Sequence, residues 1–304
     1  MKNITVLTFL AFFVLVFNAA AYTVPDGRAA VLVGQDNITI HKYVEGTGHM
    51  PAGFMVYTGI HDLQGLDNWS SDYGAGKANA QELVDRYPGG AIQIGLYMVD
   101  SLQKTYNGEF DENIERMARW MESVDVPIFL RIGYEFDGPH NHYDPEDYKK
   151  AYIYIVEKLK AMGVDNVDYV WHSYANKEVM DIEPWYPGDE YVDWIALSYF
   201  DQPQSFMTHV VDFAKAHDKP LMIAEATPRN KKLHSPLAWK IWFQPFFRFV
   251  ETNDVKIISY INSHWETMPM WVGQGWGDAR IEAYEGVKQL WLEKMKEERY
   301  QFRW

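Results

Sequence analysis

Eight short apolar runs recur along the chain, with polar loops and helix-like stretches between them. The runs are rich in Val, Ile, Leu, Tyr and Phe and mostly lack charge, as strands buried in a parallel sheet do. They occupy residues 30–33, 54–57, 91–98, 127–132, 167–172, 192–199, 221–224 and 257–261. Amphipathic stretches between them predict helices, for example at residues 113–123, 145–162, 205–217 and 239–253.

Eight alternations of strand and helix, roughly 25–40 residues apart, predict an α/β fold of the (β/α)8 TIM barrel type. An open doubly wound sheet is the alternative. That fold calls for a glycine-rich phosphate loop after its first strand, and Gly34-Gln35-Asp36 lacks this pattern. Because no linker rich in Pro, Gly or Ser and no charge block divides the chain, we expect a single domain.

The first 21 residues have the pattern of a signal peptide. Met1 and Lys2 precede an apolar run over residues 4–17, and small residues follow up to Ala21. We predict cleavage after Ala21, which leaves residues 22–304 as the barrel domain of a secreted or periplasmic protein. The run is short for a membrane span, so an uncleaved anchor is the weaker alternative and no membrane contact is expected after cleavage.

Composition removes several classes of function. A net charge of −14 disfavours nucleic acid as a partner. The absence of cysteine excludes disulfides, thiol catalysis and cysteine-ligated metals. Aromatic residues make up 16% of the chain, which fits either a large aromatic core or stacking platforms for sugar rings. We expect the protein to act as a monomer.

Two glutamates stand where predicted strands end, the edge at which barrel enzymes carry their active sites. Glu135 follows the fourth run, where Arg131, Gly133 and Glu135 would share one face of an extended strand. Glu225 ends the apolar seventh run, where a charge is costly unless it is paired or used. A structural ion pair could explain either glutamate alone, whereas the two together favour a catalytic pair.

Paired carboxyl groups are the requirement of glycoside cleavage. One carboxyl group gives a proton to the leaving oxygen, and the other attacks the anomeric carbon when the two lie about 5–5.5 Å apart. We therefore predict Glu135 as the acid/base and Glu225 as the nucleophile of a retaining glycoside hydrolase. We expect endo action, although nothing in the sequence distinguishes it from exo action. Tyr199, at the end of the sixth run, is a candidate hydrogen-bond donor to the nucleophile, the alternative being a buried core tyrosine.

The two glutamate segments resemble the motifs of glycoside hydrolase family 26. Residues 131–138 resemble its strand-four motif, which has an arginine four residues before the acid/base glutamate and a glycine three residues after it. Arg131 and Gly138 match those positions. Residues 223–225 resemble the strand-seven nucleophile motif of the same family.

Weaker similarity extends along the chain. Residues 192–199 look like the strand-six segment of the family, whose tyrosine contacts the nucleophile, and residues 31–36 are similar to its strand-one opening. The family's mannanases usually carry histidine just before the acid/base and tryptophan five residues after it, in contact with the sugar. Here these positions are Tyr134 and His140. The resemblance therefore leaves β-mannan, β-1,3-xylan and mixed-linkage glucan open as substrates.

Further candidates for sugar contact lie at other strand ends. Trp265 ends the eighth run, where relatives place an aromatic floor, and Trp171 and His172 end the fifth. Simple core packing is the alternative for each of them. The complete set of candidate substrate-binding residues is Arg131, Tyr134, His140, Trp171, His172, Tyr199 and Trp265.

No cofactor or metal is predicted. His140 and His142 lie two residues apart in a loop, and neither a third ligand at helical spacing nor a His-Glu-x-x-His pattern accompanies them. The predicted partner is a plant or algal cell-wall polysaccharide or its oligosaccharides. Two alternatives remain, a non-catalytic carbohydrate-binding barrel and a different enzyme on the same fold.

Overall fold

The computed structural model describes residues 22–304, in which eight parallel strands form a closed barrel. Each strand pairs with the next one along the chain, and the eighth pairs with the first. The strands are β1 Ala30–Gly34, β2 Gly53–Gly59, β3 Ala91–Tyr97, β4 Ile128–Ile132, β5 Val167–Ser173, β6 Trp194–Tyr199, β7 Leu221–Ala226 and β8 Ile257–Ile261. Each of the eight predicted runs is a strand, and the predicted (β/α)8 barrel is confirmed.

Helices connect the strands around the outside of the barrel. They are α1 Asn37–Thr47, α2 Ala80–Arg86, α3 Leu102–Tyr106, α4 Asp111–Ser123, α5 Pro145–Met162, α6 Thr208–Ala216, α7 Gln244–Thr252 and α8 Glu285–Met295. The four helices named from the sequence correspond to α4, α5, α6 and α7. A π-helical turn, Trp239–Phe243, precedes α7 and completes the fourth of them.

Local sequence signals set the helix ends. The Asp144 side chain accepts hydrogen bonds from the first free N–H groups of α5, Pro145 occupies its first turn, and Gly163 ends it with a φ of 84°. Asp36 caps α1 in the same way by accepting from the Thr39 N–H. Asp36, at the end of the first strand, therefore has a structural role.

The barrel interior is apolar at its base and polar toward the carboxyl ends of the strands. Phe129 and Trp194 pack edge to face near the base, with ring centroids 5.6 Å apart. Above them, Gln93 Nε2 donates to the Ala224 carbonyl at 2.8 Å, and Ser259 Oγ donates to Gln93 Oε1 at 2.5 Å. The next interior side chains upward include Arg131, His172 and Ser198, all fully buried.

A β-bulge in β7 directs Glu225 into the barrel. Leu197 pairs with Ile223, but the next residue, Ser198, pairs with Glu225, so that Ala224 is skipped in the register. Strict alternation would place Ala224 inside and Glu225 outside. The extra residue brings both to the interior, as bulges near active sites do when they re-aim a side chain.

None of the helices within residues 22–304 is both long and apolar enough to cross a membrane. The predicted signal peptide, residues 1–21, lies outside the described residues.

Candidate active site

Glu135 lies on a tight loop that begins where β4 ends. The strand stops at Ile132, and both Gly133 and Glu135 have positive φ, 55° and 53°. The buried Asn141 side chain holds this loop by donating to the carbonyls of Tyr134 and Glu135, at 2.8 and 3.1 Å. Positive φ at a non-glycine residue is strained and is found preferentially at functional sites. The extended geometry predicted through residue 135 is therefore wrong, although its carboxyl group does reach the barrel interior.

A buried ion pair joins β4 to β7. Arg131 Nη1 donates to Glu225 Oε1, with the arginine side chain fully buried and the glutamate 8% exposed. The guanidinium carbon also lies 5.0 Å from the ring centre of Tyr57 and 5.2 Å from that of Tyr134. Because a charge in this position is costly alone, the carboxylate and the two aromatic faces stabilise the cation.

Opposing influences act on the pKa of Glu225. Burial, followed by the negative charge of Glu135, raises the pKa of Glu225 above its ordinary value. The charge and hydrogen bond of Arg131, and the nearby Tyr57 hydroxyl, lower it. The influence of Glu135 on this pKa places the two carboxyl groups in one electrostatic environment.

A second chain of hydrogen bonds connects Arg131 to Glu135. Arg131 Nη1 lies 3.3 Å from His172 Nδ1, His172 Nε2 lies 3.0 Å from Ser198 Oγ, and Ser198 Oγ donates to Glu135 Oε1 at 2.5 Å. Burial, together with the charge of Arg131, lowers the pKa of His172 well below its usual range, so this imidazole is neutral. Since arginine can only donate, Nδ1 of His172 accepts and its Nε2–H donates to Ser198.

The loop after β4 adds a partner to the other oxygen of Glu135. His140 Nε2 lies 2.8 Å from Glu135 Oε2, and the His140 side chain is 49% exposed. The sequence placed His140 as a sugar contact, and the structure places it against the predicted acid/base.

Tyr199 does not reach the nucleophile. Its ring lies outside the barrel, and its hydroxyl accepts a hydrogen bond from Gln204 Nε2 at 2.7 Å. The ring packs against Trp242, Phe246 and Phe249. The prediction is wrong because side chains alternate along β6: Ser198 points inward, so Tyr199 points outward.

The two candidates at the end of β5 do not line the cleft either. Trp171 is fully buried outside the barrel, where it stacks on Phe136 with ring centroids 4.3 Å apart. His172 points inward but is fully buried beneath the mouth, where it contacts Arg131 and Ser198. The prediction of a direct sugar contact is therefore wrong for both residues. His172 instead links Arg131 to Ser198, which hydrogen-bonds Glu135.

Trp265 lies just beyond β8 in an aromatic cluster. Its ring centre is 5.5 Å from that of Trp271 and 5.1 Å from that of Trp276, and its Nε1 donates to Thr227 Oγ1 at 3.4 Å. Trp271 Nε1 in turn donates to the Gly74 carbonyl at 2.6 Å, which ties this loop to the loop after β2. The cluster borders the barrel mouth, and a sugar contact for Trp265 stays a prediction, as it does for Tyr134.

Two members of the site were missed in the sequence. Tyr57 ends the second apolar run; its hydroxyl lowers the pKa of Glu225, and its ring faces the Arg131 guanidinium. Ser198 directly precedes Tyr199, the larger residue that the sequence favours, and its hydroxyl donates to Glu135. Both could have been found from the alternation of side chains, because every second residue of a strand points into the barrel and Tyr57 and Ser198 occupy such inward positions.

No group of three His, Asp or Glu side chains within residues 22–304 is arranged to hold a metal ion.

The closed (β/α)8 barrel thus carries two glutamates at the carboxyl ends of its strands, bridged by buried arginine, histidine and serine, at the edge where barrel enzymes have their active sites. The chain belongs to glycosyl hydrolase family 26, whose sequence profile matches residues 86–268. The resemblance found in the sequence is thereby confirmed.

Curated relatives match along most of the chain. A protein named β-1,3-xylanase TXYA from Vibrio sp. is 33% identical over 91% of this chain and 66% of its own length. A β-1,3-xylanase from Alcaligenes sp. is 31% identical over 91% of this chain and 65% of its own length. The chain thus spans about two thirds of the length of these relatives.

A solved structure shows the same fold at low identity. The family 26 β-mannanase BoMan26A from Bacteroides ovatus superimposes with a TM-score of 0.65 at 16% identity, covering 90% of each chain.

Proposed function

We propose that this protein is a retaining, endo-acting glycoside hydrolase in which Glu225 is the nucleophile and Glu135 the acid/base. The observation that supports this most is the single network that joins the two carboxyl groups: Glu225, Arg131, His172, Ser198, Glu135. A binding barrel has no need for two mutually repelling carboxyl groups held in place at the cost of burying an arginine. The non-catalytic alternative is therefore disfavoured.

The two carboxyl groups divide the reaction into two steps. In the first, a Glu225 oxygen forms a bond to the anomeric carbon while the glycosidic bond breaks and the leaving oxygen takes the proton of Glu135. In the second, water attacks the anomeric carbon, its proton passes to Glu135, and the Glu225 carboxylate leaves. Two inversions give net retention. Arg131 stabilises the Glu225 carboxylate before the first step and after the second.

Among the candidate substrates we favour β-1,3-xylan. The two xylanase relatives match this chain over nine tenths of its length. The chain also departs from the mannanase pattern at two positions beside the acid/base. Tyr134 stands where the mannanases carry histidine, and His140, in the place of their tryptophan, is held against Glu135. Trp265 and Tyr134 are the proposed aromatic contacts for the sugar.

Tyr57→Phe tests whether the Tyr57 hydroxyl helps to keep Glu225, the proposed nucleophile, ionised. We expect kcat to fall about 10-fold, because the Tyr57 hydroxyl favours the charged form of Glu225 that attacks the anomeric carbon. The Tyr57 hydroxyl lowers the pKa of Glu225, so its loss raises that pKa and moves the acidic limb of the kcat/KM profile to higher pH. The measurement is a pH–rate profile of both proteins. An unchanged acidic limb would contradict the role given to Tyr57.

We further propose that the protein is exported and processed to begin at Tyr22. Tyr22 is anchored at the base of the barrel: its backbone N–H donates to Asp168 Oδ2 at 2.8 Å, and its ring centre lies 6.2 Å from that of Phe129. Asp168 also accepts from Trp194 Nε1 at 2.7 Å, and burial raises its pKa to about 7. Cleavage after Ala21 would convert this N–H into an ammonium group beside a buried carboxyl group.

Processing should therefore stabilise the fold. At pH 7 we expect protein that begins at Tyr22 to melt about 3–6 °C above protein that retains Ala20 and Ala21, which corresponds to about 1–2 kcal/mol. The ammonium lowers the raised pKa of Asp168, so the gain is present at neutral pH and is lost as acid protonates this carboxyl group. Differential scanning calorimetry from pH 3 to 7 measures it. Asp168→Asn in both forms is the control, and equal melting temperatures at pH 7 would refute the ion pair.

A further inference from the structure

His140 folds back on the carboxyl group of Glu135. Its Nε2 lies 2.8 Å from Glu135 Oε2, and its ring edge faces Tyr174 with centroids 5.5 Å apart. The histidine side chain is 49% exposed, whereas the glutamate side chain is 8% exposed. Gly138 leaves room for this arrangement, since a Cβ there would lie 2.5 Å from His140 Cε1. The imidazole thus covers the solvent side of the carboxyl group.

The other oxygen of Glu135 has a committed donor. Ser198 donates to Oε1 at 2.5 Å, and Ser198 Oγ itself receives the Nε2–H of the neutral His172. An oxygen that accepts from a hydroxyl is the poorer site for a proton, so the proton of the neutral acid belongs on Oε2. Oε2 of Glu135 and Nε2 of His140 are therefore two sites for one proton, 2.8 Å apart.

We propose that Glu135 and His140 form a dyad that holds one proton, with His140 as the positioning residue that keeps this proton on the cleft side of Glu135. The inference rests on the proposed function of Glu135. In the first step Oε2–H gives its proton to the leaving oxygen, and in the second Oε2 receives the proton of the attacking water and shares it with Nε2. A dyad keeps its proton to higher pH than a lone carboxyl group, so hydrolysis extends toward alkaline pH.

The charges around the dyad favour retention of the proton. Burial lowers the pKa of His140, but the hydrogen bond and the charge of Glu135 outweigh it and place that pKa above its ordinary value. The carboxylates that act on His140 are Glu135, Glu225 and Asp137. The imidazole of His172, on the barrel side, is neutral. Just beyond the end of β5, the Tyr174 ring faces His140, and burial raises the pKa of this tyrosine.

Kinetics on β-1,3-xylan test the dyad through its pH dependence. In His140→Ala and His140→Gln we expect the basic limb of kcat/KM to move about 1–3 units to lower pH, the range over which a neighbouring charge shifts a pKa. His142→Ala is the matched control, because this histidine is 63% exposed and its contact is with Asp100 at 3.4 Å. Its profile should equal that of the wild type. An unmoved basic limb in both His140 variants, with xylan still hydrolysed, would overturn the dyad and leave the proposed function standing.

An NMR titration of the imidazole protons separates the dyad from catalysis. In the wild-type protein the pKa of His140 should lie above the ordinary value of histidine, and in Glu135→Gln it should fall by about 1 unit or more, since glutamine carries no charge. This result supports the dyad whether or not a substrate has been found. If His140 titrates at the same pH in both proteins, the shared proton is refuted.

Discussion

Glu225→Gln is expected to lower kcat on β-1,3-xylan by about 10⁴-fold or more, the scale on which a hydrolase responds to loss of its covalent nucleophile. The amide cannot form the bond to the anomeric carbon, so the first step of the reaction is lost. Initial rates of reducing-sugar release measure the effect. A Glu225→Gln protein that retains more than a tenth of the activity would contradict the assignment of the nucleophile.

Two further variants separate chemistry from stability. Glu225→Gln keeps an oxygen that can accept from Arg131, whereas Glu225→Ala leaves a fully buried guanidinium without its carboxylate. We expect Glu225→Ala to lower the free energy of unfolding by about 3–5 kcal/mol, as the breaking of a buried ion pair does. Glu266→Gln serves as a carboxylate control near the barrel mouth, because Glu266 contacts only the backbone N–H groups of Gly273 and Gly277 among its hydrogen-bond donors in residues 22–304.

Glu135→Gln is expected to separate substrates by the quality of their leaving groups. Hydrolysis of β-1,3-xylan should fall about 10²- to 10⁴-fold, the contribution of a general acid, because a sugar hydroxyl leaves poorly without a proton. Formation of the glycosyl-enzyme from a nitrophenyl β-1,3-xylo-oligoside should change less than about 10-fold, because a nitrophenolate needs little protonation. Pre-steady-state release of nitrophenol measures this step directly.

Glu135→Gln is a conservative replacement, so a loss of activity is not explained by a loss of structure around residue 135. The amide oxygen of glutamine can still accept from Ser198, and its NH2 group can donate to Nε2 of a neutral His140, so the contacts around residue 135 can persist. Equal losses on xylan and on the aryl substrate would show that Glu135 is not the acid. A loss confined to xylan agrees with the assignment.

The barrel could be predicted from the sequence because its signal is redundant. Strands buried on both faces of a closed parallel sheet read as continuous apolar runs, and eight such runs leave few other architectures. The end of α5 at Gly163 and its start at Asp144 and Pro145 are local signals of the same kind. Each of these features is decided within a few residues of chain.

The details of the site depend on geometry that local sequence does not carry. The bulge at Ala224 and Glu225 is a property of the pairing with β6, so the inward turn of Glu225 could not be derived from alternation. Tyr199 is predicted from its place at the end of the sixth run, although the inward residue is Ser198. The return of His140 onto Glu135 depends on the loop backbone. Tyr57 could have been found from the sequence, since the alternation of side chains along β2 places it inside the barrel.

The central claim is tested most directly by incubating the protein, residues 22–304, with β-1,3-xylan, β-1,4-xylan, β-mannan, galactomannan, laminarin and mixed-linkage glucan, and following the products by reducing-sugar assay and ¹H NMR. We predict that β-1,3-xylan is cleaved to oligosaccharides and that the new reducing ends first appear as the β-anomer, as retention requires. First appearance of the α-anomer would contradict the double displacement by Glu225 and Glu135. Absence of products from all six polysaccharides would contradict the proposed activity itself.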